Sequence, residues 1–277
     1  MAAVASAGGC ESLGEGIGEF ASALTPVTPR QAAEFALDQN DADKRREGIV
    51  LLSNAHFGGE PVYVDLYREY VRFDADPMVR AAAISGLARF GEPADARFIA
   101  PHLRDANMHV RWAAAKGLQR LHDPEVAPDL IRTTFDVEET ADVRSAAAIA
   151  LGQYPQGTVV QALIAALSAP ELSVNMAAAE SLHTLTGRDF GLDGRAWFEW
   201  SRRSESDGGL FAGRVQYYYP TYSRNLSWLE HLAFWSKPTF EPPGQPAGLT
   251  PLGARSTYQE DGGKNAPVPP AGNAPGR

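Results

Sequence analysis

Apolar positions along the chain return on a helical period, and the helical pattern itself then repeats. Val79, Ala83, Leu87 and Phe90 stand at i, i+4, i+8 and i+11, which places them on one face of an α-helix. The same pattern opens at Val79-Arg80, Val110-Arg111, Val143-Arg144 and Val174-Asn175, spaced 31, 33 and 31 residues apart. Two residues past the Arg or Asn come the alanine pairs Ala82-Ala83, Ala113-Ala114, Ala146-Ala147 and Ala177-Ala178. Seven past it stand Leu87, Leu118, Leu151 and Leu182, and ten past it Phe90, Leu121, Tyr154 and Leu185. A weaker fifth copy begins at Lys44-Arg45, with Gly48, Leu52 and Ala55 in the matching places. The alanines allow a neighbouring helix to approach closely, and the leucines fill the space beyond them.

Ahead of these helices lie Asp76, Asn107 and Glu171, residue types suited to the free N–H groups and positive dipole end of a helix N-terminus. A first helix for each pair is read over Val62–Phe73, Ala94–Leu103, Glu125–Thr134 and Val159–Leu167, with breakers at Pro93, Pro124 and Pro155. Two helices per repeat, each unable to bury its apolar face alone, must stack on the next pair. The predicted fold is all-α: a right-handed α-solenoid of about five helical hairpins.

Segments such as Asp76-Pro77-Met78-Val79-Arg80-Ala81-Ala82-Ala83 and His109-Val110-Arg111-Trp112-Ala113-Ala114-Ala115 resemble HEAT repeats of the short bacterial type. This type is called PBS-lyase HEAT-like after the phycobilin lyases that contain it. The resemblance covers roughly Pro29–Gly187. Leu185-Thr186-Gly187-Arg188-Asp189-Phe190-Gly191-Leu192-Asp193, followed by Ala196-Trp197-Phe198-Glu199-Trp200, is similar to the closing turn and Trp-bearing capping helix of many bacterial HEAT-domain proteins. Asn175 departs from the pattern, as a terminal repeat with one neighbour allows. The expected organisation is a tether at 1–27, a capped solenoid at 28–204, an aromatic arm at 205–236 and a disordered tail at 237–277.

Composition sharpens this picture at the ends. The last 41 residues hold nine Pro and seven Gly and show no period, which is the basis for reading a disordered tail. The residues before Lys237 hold 21 basic and 31 acidic side chains, a net charge of -10 within the chain's -9. That sign disfavours binding to a phosphate backbone, so no nucleic-acid partner is expected. One cysteine, Cys10, rules out a disulfide framework and a Cys-based zinc site. The small residues Ala2–Gly9 ahead of it resemble the end of a bacterial lipoprotein signal, although a basic n-region is missing and the apolar stretch is short. This reading expects a lipidated Cys10, a location at the cell envelope and membrane contact only through the lipid; the alternative is a cytoplasmic protein.

Candidate chemistry is sparse. Arg45, Arg80, Arg111 and Arg144 read as structural positions, each paired with the acid four residues earlier or with an acid of the adjacent repeat. The six histidines show no helical metal pair, Asp189 and Asp193 belong to a turn and a helix cap, and no phosphate loop or nucleophile motif occurs. Neither cofactor nor metal is expected. The arm places Tyr217, Tyr218, Tyr219 and Tyr222 in ten residues and continues to Trp228 and Trp235, side chains that anchor interfaces or fold back on the solenoid. The reading is therefore a monomeric, non-catalytic scaffold for an unknown protein partner. The alternative, implied by the family resemblance, is a HEAT-like lyase acting on a bilin or another small molecule.

Overall fold

The computed structural model describes residues 28–204, 209–212, 219 and 246–247. Among them are eleven α-helices: α1 Pro29–Ala36, α2 Ala42–Asn54, α3 Pro61–Phe73, α4 Pro77–Phe90, α5 Ala96–Ile99, α6 Met108–Arg120, α7 Ala127–Phe135, α8 Ala141–Leu151, α9 Gly157–Ala166, α10 Leu172–Thr186 and α11 Gly194–Ser204. Consecutive pairs make five hairpins, and α11 closes the stack against α9. The protein is an all-α solenoid.

Starts and stops follow local chemistry. Thr28 and Gln31 form a reciprocal capping box on α1. Asp41, Asp76 and Asn107 accept backbone N–H bonds at the starts of α2, α4 and α6. Glu171 makes no such side-chain cap on α10, because its carboxylate is taken by Arg144.

The second helices α2, α4, α6, α8 and α10 stack directly on one another along their alanine faces. Ala83, Ala114, Ala147 and Ala178 are buried, as are Leu87, Leu118, Leu151 and Leu182. At the matching position of α2 the closest approach is to backbone, and the residue there is Gly48. A Cβ on it would lie 2.1 Å from the Ala36 amide nitrogen at the end of α1.

The first helix of the third hairpin departs from expectation. Ala94–Leu103 is not one helix: only Ala96–Ile99 is α, between 3₁₀ turns at Pro93–Asp95 and Ala100–Arg104. Pro101 is the cause, since its nitrogen cannot donate to the preceding turn.

The C-terminal end of the stack is sealed by aromatic rings. Gly187 and Gly191 take positive φ angles of 68° and 54°, turning the chain between α10 and α11. Buried Trp197 donates from Nε1 to the Gly191 carbonyl at 3.0 Å and meets Phe190 edge-on at 4.9 Å.

Two described residues of the tail expected to be disordered contact the solenoid. Pro246 and Ala247 are buried, and Ala247 forms a parallel bridge with Leu121. Its N–H donates to the Arg120 carbonyl at 2.8 Å, and its carbonyl accepts from the His122 N–H at 2.9 Å. Low hydrophobicity hid this contact from a composition argument, because two backbone bonds need no particular side chain.

Candidate functional site

The repeating arginines form a ladder through the stack. Arg45 bonds Asp74, Arg80 bonds Asp105, Arg111 bonds Glu139 and Arg144 bonds Glu171, each acid lying at the entry to the next second helix. The acid chosen is always that of the adjacent repeat, never the residue four earlier. The same guanidiniums donate to carbonyls of their own turn: Arg80 to Asp74 and Ala75, Arg111 to Asp105 and Ala106. Asn175 keeps the carbonyl half of this role, donating to Ala166 at 3.0 Å and Ala169 at 2.9 Å. Among the described residues no sixth hairpin follows it, so the acid-binding half has no counterpart there.

These arginines are therefore spent on structure. Asp105, half-buried, is held below the usual carboxylate range: desolvation pushes the other way, but the Asn107 N–H and Arg80 outweigh it. Asp189 accepts from the Gly191 N–H, Asp193 caps α11 and Glu199 pairs with Arg195, so these three acids do not converge. No group of three potential metal ligands occurs among the described residues.

What remains is the exposed strip of the second helices. The residues one and five past the ladder positions, buried Ala81 excepted, are exposed or half-buried on neighbouring helices: Arg46 and Val50 on α2, Ser85 on α4, Trp112 and Lys116 on α6, Ser145 and Ile149 on α8, Met176 and Glu180 on α10. Trp112 is 41% exposed and Met176 56% exposed, with half-buried Ile149 in the register between them. Lys116 Nζ lies 4.3 Å from the Trp112 ring centroid. A flat aromatic surface, a fixed cation and adaptable aliphatic side chains thus lie on one face. A small depression beside Asp129 and Glu139 offers about 40 Å³, room for water.

One further stripe residue leads to the C-terminal contact. Arg120, one turn past Lys116, carries its guanidinium 4.3 Å from the Tyr219 ring centroid. Tyr219 is 1% exposed, so this predicted anchor for a partner is instead turned onto the solenoid. Next to it His122 is 9% exposed and stacks on Tyr154 at 4.7 Å. Burial pushes the His122 pKa down to about 4, against the opposing influence of Asp123, so the ring is neutral near pH 7. Tyr154 donates to the Leu118 carbonyl at 2.7 Å, and burial raises its own pKa far out of range for acid–base work. Tyr217, Tyr218, Tyr222, Trp228, Trp235 and Cys10 lie outside the described residues. Trp112 was not singled out from sequence; its signal was an outsize aromatic at a repeat position that holds Arg46, Ala81, Ser145 and Met176 elsewhere.

The chain matches HEAT repeats over residues 64–137 and a PBS lyase HEAT-like repeat over 143–169. Among solved structures it is similar to the complex of CpcE and CpcF of phycocyanin lyase from Nostoc sp. PCC7120, at 21% identity and TM-score 0.52, covering 66% of this chain and 71% of that one. A second similar structure is human deoxyhypusine hydroxylase in complex with glycerol, at 20% identity and TM-score 0.40, covering 59% and 64%. No curated protein matches. The expectation of a protein that is no enzyme is corrected by the lyase-type repeat together with the phycocyanin lyase likeness. A search for contiguous nucleophile or acid–base motifs misses a solenoid's site, because its residues come one or two from each repeat, some 30 positions apart.

Proposed function

We propose that this chain, whose residues 64–137 match HEAT repeats and 143–169 a PBS lyase HEAT-like repeat, is a lyase-type protein acting on a bilin or a comparable extended small molecule together with a protein partner. The observation that carries the reading is the PBS lyase HEAT-like repeat at 143–169, which spans α8 and α9 beside the Trp112 strip. The phycocyanin lyase with the similar fold is a complex of two chains, CpcE and CpcF, which supports a second chain here. The strip suits the substrate chemistry. Trp112 offers a face on which a conjugated ring can stack, and Lys116 and Arg46 supply charge for carboxylate side arms. Ile149 and Met176 supply apolar contact along its length. In this reading the described residues hold and orient the pigment, and an open, elongated surface fits a long flat molecule better than an enclosed pocket would.

The test is titration of the full-length protein with a free bilin, followed by visible absorption, and then pigment transfer to or from phycocyanin with the co-purified partner present. A saturable spectral change that weakens about tenfold or more in Trp112→Ala, at unchanged Tm, is expected. Absence of any spectral change with a tetrapyrrole would overturn the proposal.

A further inference from the structure

On the first-helix side of the second and third hairpins, two arginines are held by phenyl rings. Arg72, in the last turn of α3, places Cζ 4.5 Å from the Phe73 ring centroid and 5.3 Å from that of Phe98. Arg97 of α5 places its Cζ 4.8 Å from the same Phe98 ring. Both arginines are exposed, Phe73 is 63% exposed, and Phe98 is half-buried against the core. Neither guanidinium has an ion pair among the described residues. Of the acids around them, Asp65 and Asp95 are both bound by Arg68, and Glu69, one turn back from Arg72 on α3, makes no ion pair among the described residues.

This arrangement contrasts with the ladder, where every guanidinium is matched to a carboxylate. A guanidinium stacked on a ring has its flat face occupied and its N–H edge free, the orientation that receives a carboxylate in a two-pronged bond. Stacking also fixes the side chain beforehand, so less rotamer freedom is lost on binding. Exposed phenylalanine beside paired arginines is the composition of an interface hot spot.

We propose that Arg72, Phe73, Arg97 and Phe98 form a docking site for a carboxylate-bearing segment of a partner protein. Charge complementarity selects the occupant: two arginines without an ion pair among the described residues, on an otherwise acidic protein, attract an acidic peptide and not a second copy of the same acidic surface. The site is independent of pigment handling, since it lies on the first helices and is read out by peptide binding alone.

The experiment uses the full-length protein and a fluorescein-labelled hexaglutamate peptide, with fluorescence anisotropy as readout. Saturable binding is expected, weakening about tenfold in the double variant Arg72→Lys/Arg97→Lys, which keeps the charge but loses the planar fork. Phe98→Leu, which keeps the apolar packing and removes the ring face, is expected to weaken binding several-fold by the same reasoning. Unchanged Tm in each variant verifies the fold. No binding by the wild type, or equal binding by the lysine variant, overturns the proposal. So does failure of the peptide with arginine-dependent binding to phosphatidylglycerol vesicles, which would make the patch a membrane contact.

Discussion

Arg80 and Asp105 sit 25 residues apart in sequence and face each other across two hairpins, with Nη2 2.8 Å from Oδ2 and Nε 3.2 Å from the same oxygen. Both side chains are largely buried, and the arginine also holds the Asp74 and Ala75 carbonyls. One residue thus ties a turn to itself and to its neighbour. Arg80→Ala is expected to cost about 1–3 kcal/mol, because it takes the guanidinium from a largely covered carboxylate, which keeps the Asn107 N–H, and from two carbonyls. Arg80→Lys should recover only part, lacking the fork. Urea unfolding measures both; Arg30→Ala, which breaks the exposed pair with Glu34, is the control and should leave the midpoint unchanged.

Gly48→Ala should destabilise the first hairpin. The added Cβ meets the Ala36 backbone at 2.1 Å, and backbone cannot rotate aside as a side chain can. The expected loss is about 1–3 kcal/mol, visible as a lowered Tm.

Ala147→Leu tests the same packing in the middle of the stack. Ala147 is fully buried between α8 and its neighbours, so the larger side chain should cost about 1–3 kcal/mol. A melting temperature equal to wild type would contradict the helical register.

His122 makes stability depend on pH in a defined window. Its folded pKa is about 4 against an ordinary 6.5, so between these values the unfolded chain binds a proton that the folded chain refuses. Its contribution is complete above pH 6.5 and falls as pH drops towards 4, by up to about 3 kcal/mol. His122→Phe keeps the stack on Tyr154 and removes the titration. Chemical denaturation across this range should show a shallower slope for the variant.

Ala247→Pro removes the N–H that bonds the Arg120 carbonyl. Amide exchange at His122, whose N–H bonds the Ala247 carbonyl, should accelerate several-fold in the variant. Exchange identical to wild type would show that the contact does not protect this corner.

The repeat positions were readable because each serves a contact repeated on every hairpin. Val79, Ala83 and Leu87 signal a buried helix face by spacing alone, and their counterparts do so four times over. Pro101 lies inside Ala94–Leu103 and breaks that helix despite its apolar spacing. Trp112 and the Arg72–Phe98 stack were not legible as sites, since exposure and ring-to-guanidinium geometry depend on how neighbouring hairpins are set.

Periodicity by itself determined the all-α repeat, its five copies and the ladder positions, because local helix geometry converts spacing into a buried face; the cap was legible through resemblance alone. Tertiary structure decided which acid each arginine takes, where Ala247 returns, that Tyr219 faces inward and that Arg72 and Arg97 share one ring. Those contacts join residues about 25 to 130 positions apart, and their free energy depends on distances that arise only when the hairpins are stacked.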